Sequence, residues 1–515
     1  EAANVTTYFL NDGNRVVTED RNGVDRSHSL SGKFIYELNQ KTAFINNTLK
    51  TNIDWDDVRL GVTGSLSNNQ TASLPDYYVG NNFKLIKRFN GKHLVTFISK
   101  NEWESLPQTL SVSINDGFMR QQVKDHAFYT NESAAYAFSV KGITISLEGG
   151  VKGYVRTMRS ELPDMPEEIP GETTNVLNTN YFTVYATPKF EYWVRRVNFT
   201  LNAPVSFAHY TFDKALANRS EVYFSPSLSM NWKPNNRFEM SVSGGTGRSP
   251  MDLNMIQPGY VMTNYRSFRR GVDDFYNSSS QRVSGRLSYK HTRRGIFANA
   301  MVMQSWSHRP YTLAQQLYGD YVVYSYTDAE SDGQMLMASG NIGKTLDFMR
   351  GSANINGSFS RNESHLISEN TNVNSVGTSW SVGAKINGAP LRWFSFDYRF
   401  EWASSRMSMN GTNASWLGNM ENELLLNIMP HCKWEWHISG EHYRNELTSG
   451  QFKNVFLLDT KLIYKLSKRL ELSASLSNIF NQRTYNYTTY NQLTSFESQR
   501  WLRGRELLIS ISLRK

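Results

Sequence analysis

A short stretch of the sequence carries Tyr260, Tyr265, Arg266, Phe268, Arg269 and Arg270. Rings and guanidinium groups in one segment suit an anionic or sugar ligand, through stacking and charge-assisted hydrogen bonds. The same cluster also fits loop packing and binding to the phosphates of lipid-linked polysaccharide. A second segment, 156–178, holds Glu161, Asp164, Glu167, Glu168 and Glu172. Oxygen-rich loops bind Ca²⁺, but the EF-hand spacing is absent, so a solvated acidic loop is expected and no metal site is assigned.

Catalytic signatures are missing. There is no Gly-x-Ser-x-Gly and no His-Glu-x-x-His. His437 and His442 are five apart, which places them on opposite faces of a strand. The run Gly244-Gly245-Thr246-Gly247 lacks the Lys-Ser/Thr and the helix of a phosphate cradle. No catalytic residue, enzyme activity or cofactor is expected. The single cysteine, Cys432, excludes an intramolecular disulfide and a multi-cysteine metal site.

Other charges sit in a regular pattern. Asp397, Arg399 and Glu401 alternate with Tyr398, Phe400 and Trp402, and Glu435 and Glu441 take the polar phase of another segment, as do Arg282 and Arg286. Such alternation is the period of a strand with one apolar face. It recurs from end to end, in Phe224 to Trp232, Trp380 to Ile386, Leu470 to Leu476 and Leu507 to Leu513. No long segment has helical period, so the chain is all-β.

The polar phase is rich in serine, and bulky aromatics sit at run ends: Trp232 and Trp402 close theirs, Phe394 and Trp434 open theirs. Aromatics at both ends of an apolar band are the girdles of a transmembrane barrel. A large soluble β-protein such as a propeller is the competing architecture, but no blade-length repeat is visible. On a barrel, Arg282, Arg286, Asp397, Arg399, Glu401, Glu435 and Glu441 must line the lumen. An Arg facing lipid costs about 2–4 kcal/mol at the midplane.

Connections divide into two kinds. Ten are tight: Asn39-Gln40-Lys41, Asn90-Gly91-Lys92, Lys141-Gly142, Arg195-Arg196, Pro234-Asn235-Asn236, Thr292-Arg293-Arg294, Thr345-Leu346-Asp347, Gly388-Ala389-Pro390, Pro430-His431 and Ser467-Lys468. Between them come long polar segments near 10–28, 55–73, 156–178, 247–275, 309–330, 361–376, 406–414 and 481–499. Short turns on one side and long loops on the other characterise outer-membrane barrels. Ten turns imply about 22 strands of an antiparallel up-and-down barrel, with residues 1–515 as one barrel domain. Val5-Thr6-Thr7-Tyr8-Phe9 already reads as strand, so no segment is left over to plug the lumen.

No apolar run reaches the length of a transmembrane helix, and the mean hydropathy is −0.51. A barrel gives the same average, because lipid-facing and lumenal residues cancel. The net charge is +9, from 55 Lys+Arg against 46 Asp+Glu, and the basic residues are scattered. A nucleic-acid partner would call for a patch; anionic lipid and lipopolysaccharide suit a scattered excess.

The stretch Leu472-Ser473-Ala474-Ser475-Leu476-Ser477-Asn478-Ile479-Phe480-Asn481 resembles the penultimate strand of TonB-dependent receptors, plugged 22-stranded outer-membrane barrels of Gram-negative bacteria. Arg503-Gly504-Arg505-Glu506 with Leu507 to Leu513 resembles their last strand. The ending Leu513-Arg514-Lys515 departs from the terminal aromatic of many members. Gly247-Arg248-Ser249-Pro250 with Asp252-Leu253-Asn254 is similar to their strand-to-loop signature. Tyr36-Glu37-Leu38-Asn39 with Phe44-Ile45-Asn46-Asn47-Thr48 is similar to a subgroup bearing an N-terminal carboxypeptidase-regulatory-like domain. The resemblance implies active nutrient import driven by the TonB complex through an N-terminal segment, with iron chelates, vitamin B12, glycans or peptides as substrates. A passive pore, or a structural barrel beside a surface lipoprotein partner, is the alternative.

Overall fold

The computed structural model describes residues 1–515 except 11, 12, 90, 115, 116, 214, 215, 468, 492, 514 and 515. Asn90 and Lys468, members of two expected turns, and the terminal Arg514-Lys515 lie outside the described residues. The described chain forms one sheet of 31 strand segments. Five of these, Val261–Asn264, Ser267–Arg270, Thr312–Tyr318, Tyr321–Thr327 and Thr412–Asn413, belong to connections. Four wall strands are each interrupted once, as where Val197–Asn202 continues into Val205–Phe212. The wall therefore counts 22 strands, the number expected from the turns.

The first eight wall strands are β1 (Ala2–Tyr8), β2 (Arg15–Asn39), β3 (Ala43–Gly64), β4 (Asn68–Phe89), β5 (His93–Ile114), β6 (Gly117–Val140), β7 (Ile143–Glu161) and β8 (Thr174–Val194). Wall neighbours pair antiparallel; the parallel contacts involve the connecting segments. β1 pairs with residues 15–21 of β2 and with residues 494–500 of the last hairpin. The up-and-down order so returns to its start, as a barrel requires.

Which face a residue takes follows from the register. Leu472 lies opposite Ile511 and Ser473 opposite Ser510. Ile509 and Ile511 are about 70% exposed, so the leucine row faces outward and the serine row the lumen. Exposed aromatics ring the outward face near the tight turns, with Tyr136, Tyr192, Trp232 and Trp434, and again higher up, with Trp103, Phe128 and Trp306. Between the rings the outward phase is mostly aliphatic, as a lipid-facing band must be.

The tight turns carry their own chemistry. Between β6 and β7, Lys141 and Gly142 both have positive φ, 48° and 83°. Two such residues make the mirror-image turn that matches strand twist. The turns expected at Gly388-Ala389-Pro390 and Pro430-His431 sit a few residues later, because Thr371–Leu391 and Leu417–His431 run on as strand.

The opposite end differs more from expectation. Segments 55–73 and 361–376 are strand for most of their length, not loop. Segment 10–28 is strand from Arg15 onward, and 481–499 forms the hairpin Thr484–Tyr490 with Thr494–Trp501. Above the membrane neither wall face meets lipid, so these strands carry polar residues on both sides and show no alternation. The long connections 162–173, 251–276 and 310–330 do not stand out into solvent. Leu162, Ile169, Tyr260, Met262, Tyr265, Phe268 and Val323 pack with Val62 of β3, Val112 of β5 and Met119 of β6. The connections thus form a cap inside the upper barrel, each large apolar side chain contributing about 1.5–3 kcal/mol by burial.

Candidate ligand-binding lumen

The cap is fixed to the wall by side chains that imitate backbone pairing. Gln121 on β6 donates to the Met262 carbonyl at 2.9 Å and accepts from its N–H at 2.5 Å. Asn175 on β8 accepts from the Gly259 N–H at 2.7 Å and donates to its carbonyl at 3.1 Å. On the other flank the Tyr265 hydroxyl donates to Glu19 of β2, and Arg266 Nε lies 3.9 Å from the same carboxylate. Arg21 closes the group, 2.9 Å from Glu19.

This accounts for the basic-aromatic cluster. Tyr260, Tyr265, Arg266 and Phe268 are buried, the last at 0% exposure. Arg269 is exposed, with its guanidinium over the Tyr326 ring, and half-buried Arg270 pairs with Asp273 at 3.7 Å. Packing dominates for four of the six residues. Burial raises the Tyr260 phenol above its usual value, with Arg270 pulling the other way.

Arg282, Arg286, Asp397, Arg399, Glu401, Glu435 and Glu441 lie on the strand phase opposite the exposed apolar one. Exposed Val283 and Leu287 alternate with Arg282 and Arg286 on the outward side. Asp397 pairs with Lys385 at 3.0 Å, and Arg399 spans Glu401 at 2.9 Å and Glu423 at 3.9 Å. Glu435 bonds to Lys465 and lies 3.8 Å from His437; Tyr443 donates to Glu441 at 2.9 Å. These pairs are partly exposed, so each is worth about 0–1 kcal/mol. They give the inner wall its charge pattern, not its stability.

A site that the sequence did not announce lies across β6, β7, β8 and the strand Val205–Phe212. Tyr129 is directly opposite Tyr154, Tyr154 opposite Tyr181, and Tyr181 opposite Tyr210. Four tyrosines on consecutive strands thus form one row on the inner wall. Tyr154 and Tyr181 stack at 5.4 Å, and Tyr181 meets Tyr210 at 5.8 Å. Tyr210 donates to Tyr223 at 3.3 Å, which donates to Asn277 at 2.8 Å. The row lines a cavity of about 480 Å³, roofed by Met251, Asp252, Leu253 and Asn254 of the cap.

Charge stands beside the rings. Lys152 lines the same cavity. Arg156 grips Asp125 through Nε at 2.9 Å and Nη2 at 2.6 Å, while its buried Nη1 has no hydrogen-bond partner. A stacking surface with hydroxyls and cations suits a ring-bearing ligand with an anionic group. A smaller lumenal cavity of about 350 Å³ is lined by Glu401, Glu421, Tyr443, Tyr485 and Tyr487. No group of three His, Cys, Asp or Glu poised to hold a metal occurs among the described residues.

The signal for the row was present but scattered: one tyrosine in each of four successive strands. Only the register makes them neighbours.

No family model matches the sequence, and no curated protein matches it. Solved structures of similar fold include the copper transporter OprC, at 8% identity over 97% of this chain and 79% of that one, with a TM-score of 0.49. The ferric yersiniabactin uptake receptor FyuA from Yersinia pestis is similar at 11% identity over 99% and 79%, with a TM-score of 0.47. The siderophore receptor PirA from Pseudomonas aeruginosa gives 9% identity over 99% and 79%, with a TM-score of 0.35.

Proposed function

We propose that this chain is the barrel of an outer-membrane receptor that imports a nutrient into a Gram-negative cell with energy coupled through TonB. The observation that carries this reading is the tyrosine row with Lys152 under a packed cap. A passive pore needs a clear lumen. Here the connections fold inward and roof a cavity of ligand size. In this reading the ligand presents a ring or sugar face to Tyr154 and Tyr181 and an anionic group to Lys152. Arg269 and Arg270, near the rim of the cap, meet it first or meet the phosphates of lipopolysaccharide. TonB acts through an N-terminal segment of the full-length protein, and a surface lipoprotein is a further partner.

The test compares cells with and without the full-length protein for depletion of individual solutes from the medium. A protonophore is added to half of each culture. The expected result is a solute taken up only with the protein present and the gradient intact. Gradient-independent entry of many small solutes, with a large ungated current from the intact protein in a planar bilayer, would replace the receptor by a passive channel.

A further inference from the structure

The smaller lumenal cavity, of about 350 Å³, stands on a conflict of charge. Glu401, on the strand Phe394–Met409, lies directly opposite Glu421 on the strand Leu417–His431. Two residues along, Arg399 lies opposite Glu423, and Glu423 opposite Glu441 of the strand Trp434–Thr448. Like charges directly opposite on neighbouring strands repel. Arg399 answers part of this, 2.9 Å from Glu401 and 3.9 Å from Glu423, and the Tyr443 hydroxyl serves Glu441. Four carboxylates thus share one guanidinium. Glu421 is repelled by the other three and takes no ion pair or hydrogen bond among the described residues.

The same cavity holds oxygens with nothing to accept from. The last hairpin, Thr484–Tyr490 with Thr494–Trp501, leans in over this wall. Asn445 donates to the Asn486 carbonyl at 2.7 Å, and the Tyr443 and Tyr485 rings meet edge to face at 5.4 Å. The hairpin so brings Thr488 to the cavity lined by Glu401 and Glu421. Thr488 is 6% exposed, and its buried Oγ1 has no hydrogen-bond partner. Asn419 lines the cavity from the wall, and its buried Oδ1 is unpartnered as well. Buried polar atoms left unpaired are costly, and each asks what pairs it.

One chemical group answers both observations. A primary ammonium carries a positive charge, three N–H donors and no acceptor. The Glu421 carboxylate, Asn419 Oδ1 and Thr488 Oγ1 are three acceptors for it. Tyr443, Tyr485 and Tyr487 supply ring surface for the charge and for the methylenes behind it. A divalent metal fits less well. Only two carboxylates line the cavity, and no group of three His, Cys, Asp or Glu poised to hold a metal occurs among the described residues. An anionic solute is repelled here.

We propose that this cavity, between Glu421, Asn419 and Thr488, binds the primary ammonium group of an alkylamine solute that enters the lumen. The site lies across the barrel from the tyrosine row on β6 to β8 and has the opposite charge preference. It does not depend on energy-coupled import, because binding is read on the purified protein without transport.

Isothermal titration of the full-length protein in detergent tests this with two probes. N-acetyl-lysine amide has a primary ammonium as its only charge; N-acetyl-norleucine amide has the same side chain without it. The expected result is saturable binding of the lysine probe, about tenfold or more tighter than the norleucine probe, as a charge-assisted contact gives. Glu421→Gln keeps the side-chain shape and removes the charge, and should weaken the lysine probe by about tenfold. Thr488→Val removes only the hydroxyl and should weaken it by about threefold. Heat-modifiable gel migration, read in parallel, reports that each barrel has folded. Equal affinity for the two probes overturns the proposal, as does the absence of saturable binding. So does binding of the lysine probe that both Glu421→Gln and Thr488→Val leave unchanged.

Discussion

Tyr154 and Tyr181 face each other directly across β7 and β8, with rings 5.4 Å apart and planes within 20° of parallel. They are the centre of the row that lines the cavity beneath Met251 to Asn254 of the cap. Their removal should separate ligand binding from folding. Tyr181→Ala deletes two ring contacts worth about 0.5–1.5 kcal/mol each. The expected outcome is a loss of at least tenfold in gradient-dependent uptake, with heat-modifiable migration unchanged.

The register assigns opposite consequences to neighbouring residues. Leu472→Arg places a cation in lipid and should lower stability by about 2–4 kcal/mol if it sits near the midplane. Ser473→Arg, one residue on, enters the lumen and should change it by less than about 1 kcal/mol. Urea titration of the barrel refolded into bilayers measures both.

Glu19 ties the cap to β2 through Tyr265 and Arg266, and is itself paired with Arg21 of the same strand. Breaking one partner of a buried charge group costs about 3–5 kcal/mol, because the remaining charge is left uncompensated. Glu19→Leu should therefore release the segment 251–276. Limited proteolysis on intact cells should cut there at least tenfold faster, while the wall itself stays resistant.

High pH should loosen the same region. Tyr324, in the connection Tyr321–Thr327, is pushed up to about 12 by burial and then by neighbouring Tyr8. A raised phenol means that the folded state holds its proton more tightly than the unfolded state. Its contribution is intact below about pH 10 and is lost as the pH rises toward 12. Proteolysis of the connection at graded pH should accelerate across that window, and Tyr324→Phe should remove this part of the response.

Gly142→Val tests the turn. A Cβ there meets the Trp193 carbonyl oxygen at 2.9 Å, and φ is +83°. A β-branched residue at positive φ is strained by about 1–3 kcal/mol. The refolding yield of the barrel should fall, and Gly142→Asn, which tolerates positive φ but brings the same Cβ against the carbonyl, should lie between the wild type and Gly142→Val.

The spanning half of the wall was legible because lipid demands one apolar phase. Leu507, Ile509, Ile511 and Leu513 announce both strand and facing. The upper half was hidden. Asn68 to Tyr78 is continuous strand, yet water outside and polar cap contacts inside permit polar residues on either phase. The tyrosine row was hidden for another reason. Tyr129, Tyr154, Tyr181 and Tyr210 are separated by whole strands, and neighbourhood across strands is a property of register. The cluster from Tyr260 to Arg270 reads as loop chemistry in the sequence, because nothing local distinguishes a loop that meets solvent from one that folds back into a barrel.

The wall is uneven in height. β2 to β6 run 22 to 25 residues, whereas Asn277–His291, Ile296–Arg309 and Ser331–Leu346 run 14 to 16. At about 3.3 Å per residue and the usual tilt, one side of the rim stands roughly 20 Å above the other. Two of the three capping connections, 251–276 and 310–330, spring from the low side and rest against the tall one. The cap is thus built as a drawbridge, hinged where the rim is low and latched at Glu19 and Gln121 on the high parapet. In the receptor proposed above, a solute would approach over the low side, and the contacts at Glu19 and Gln121 would be what resists displacement of the cap.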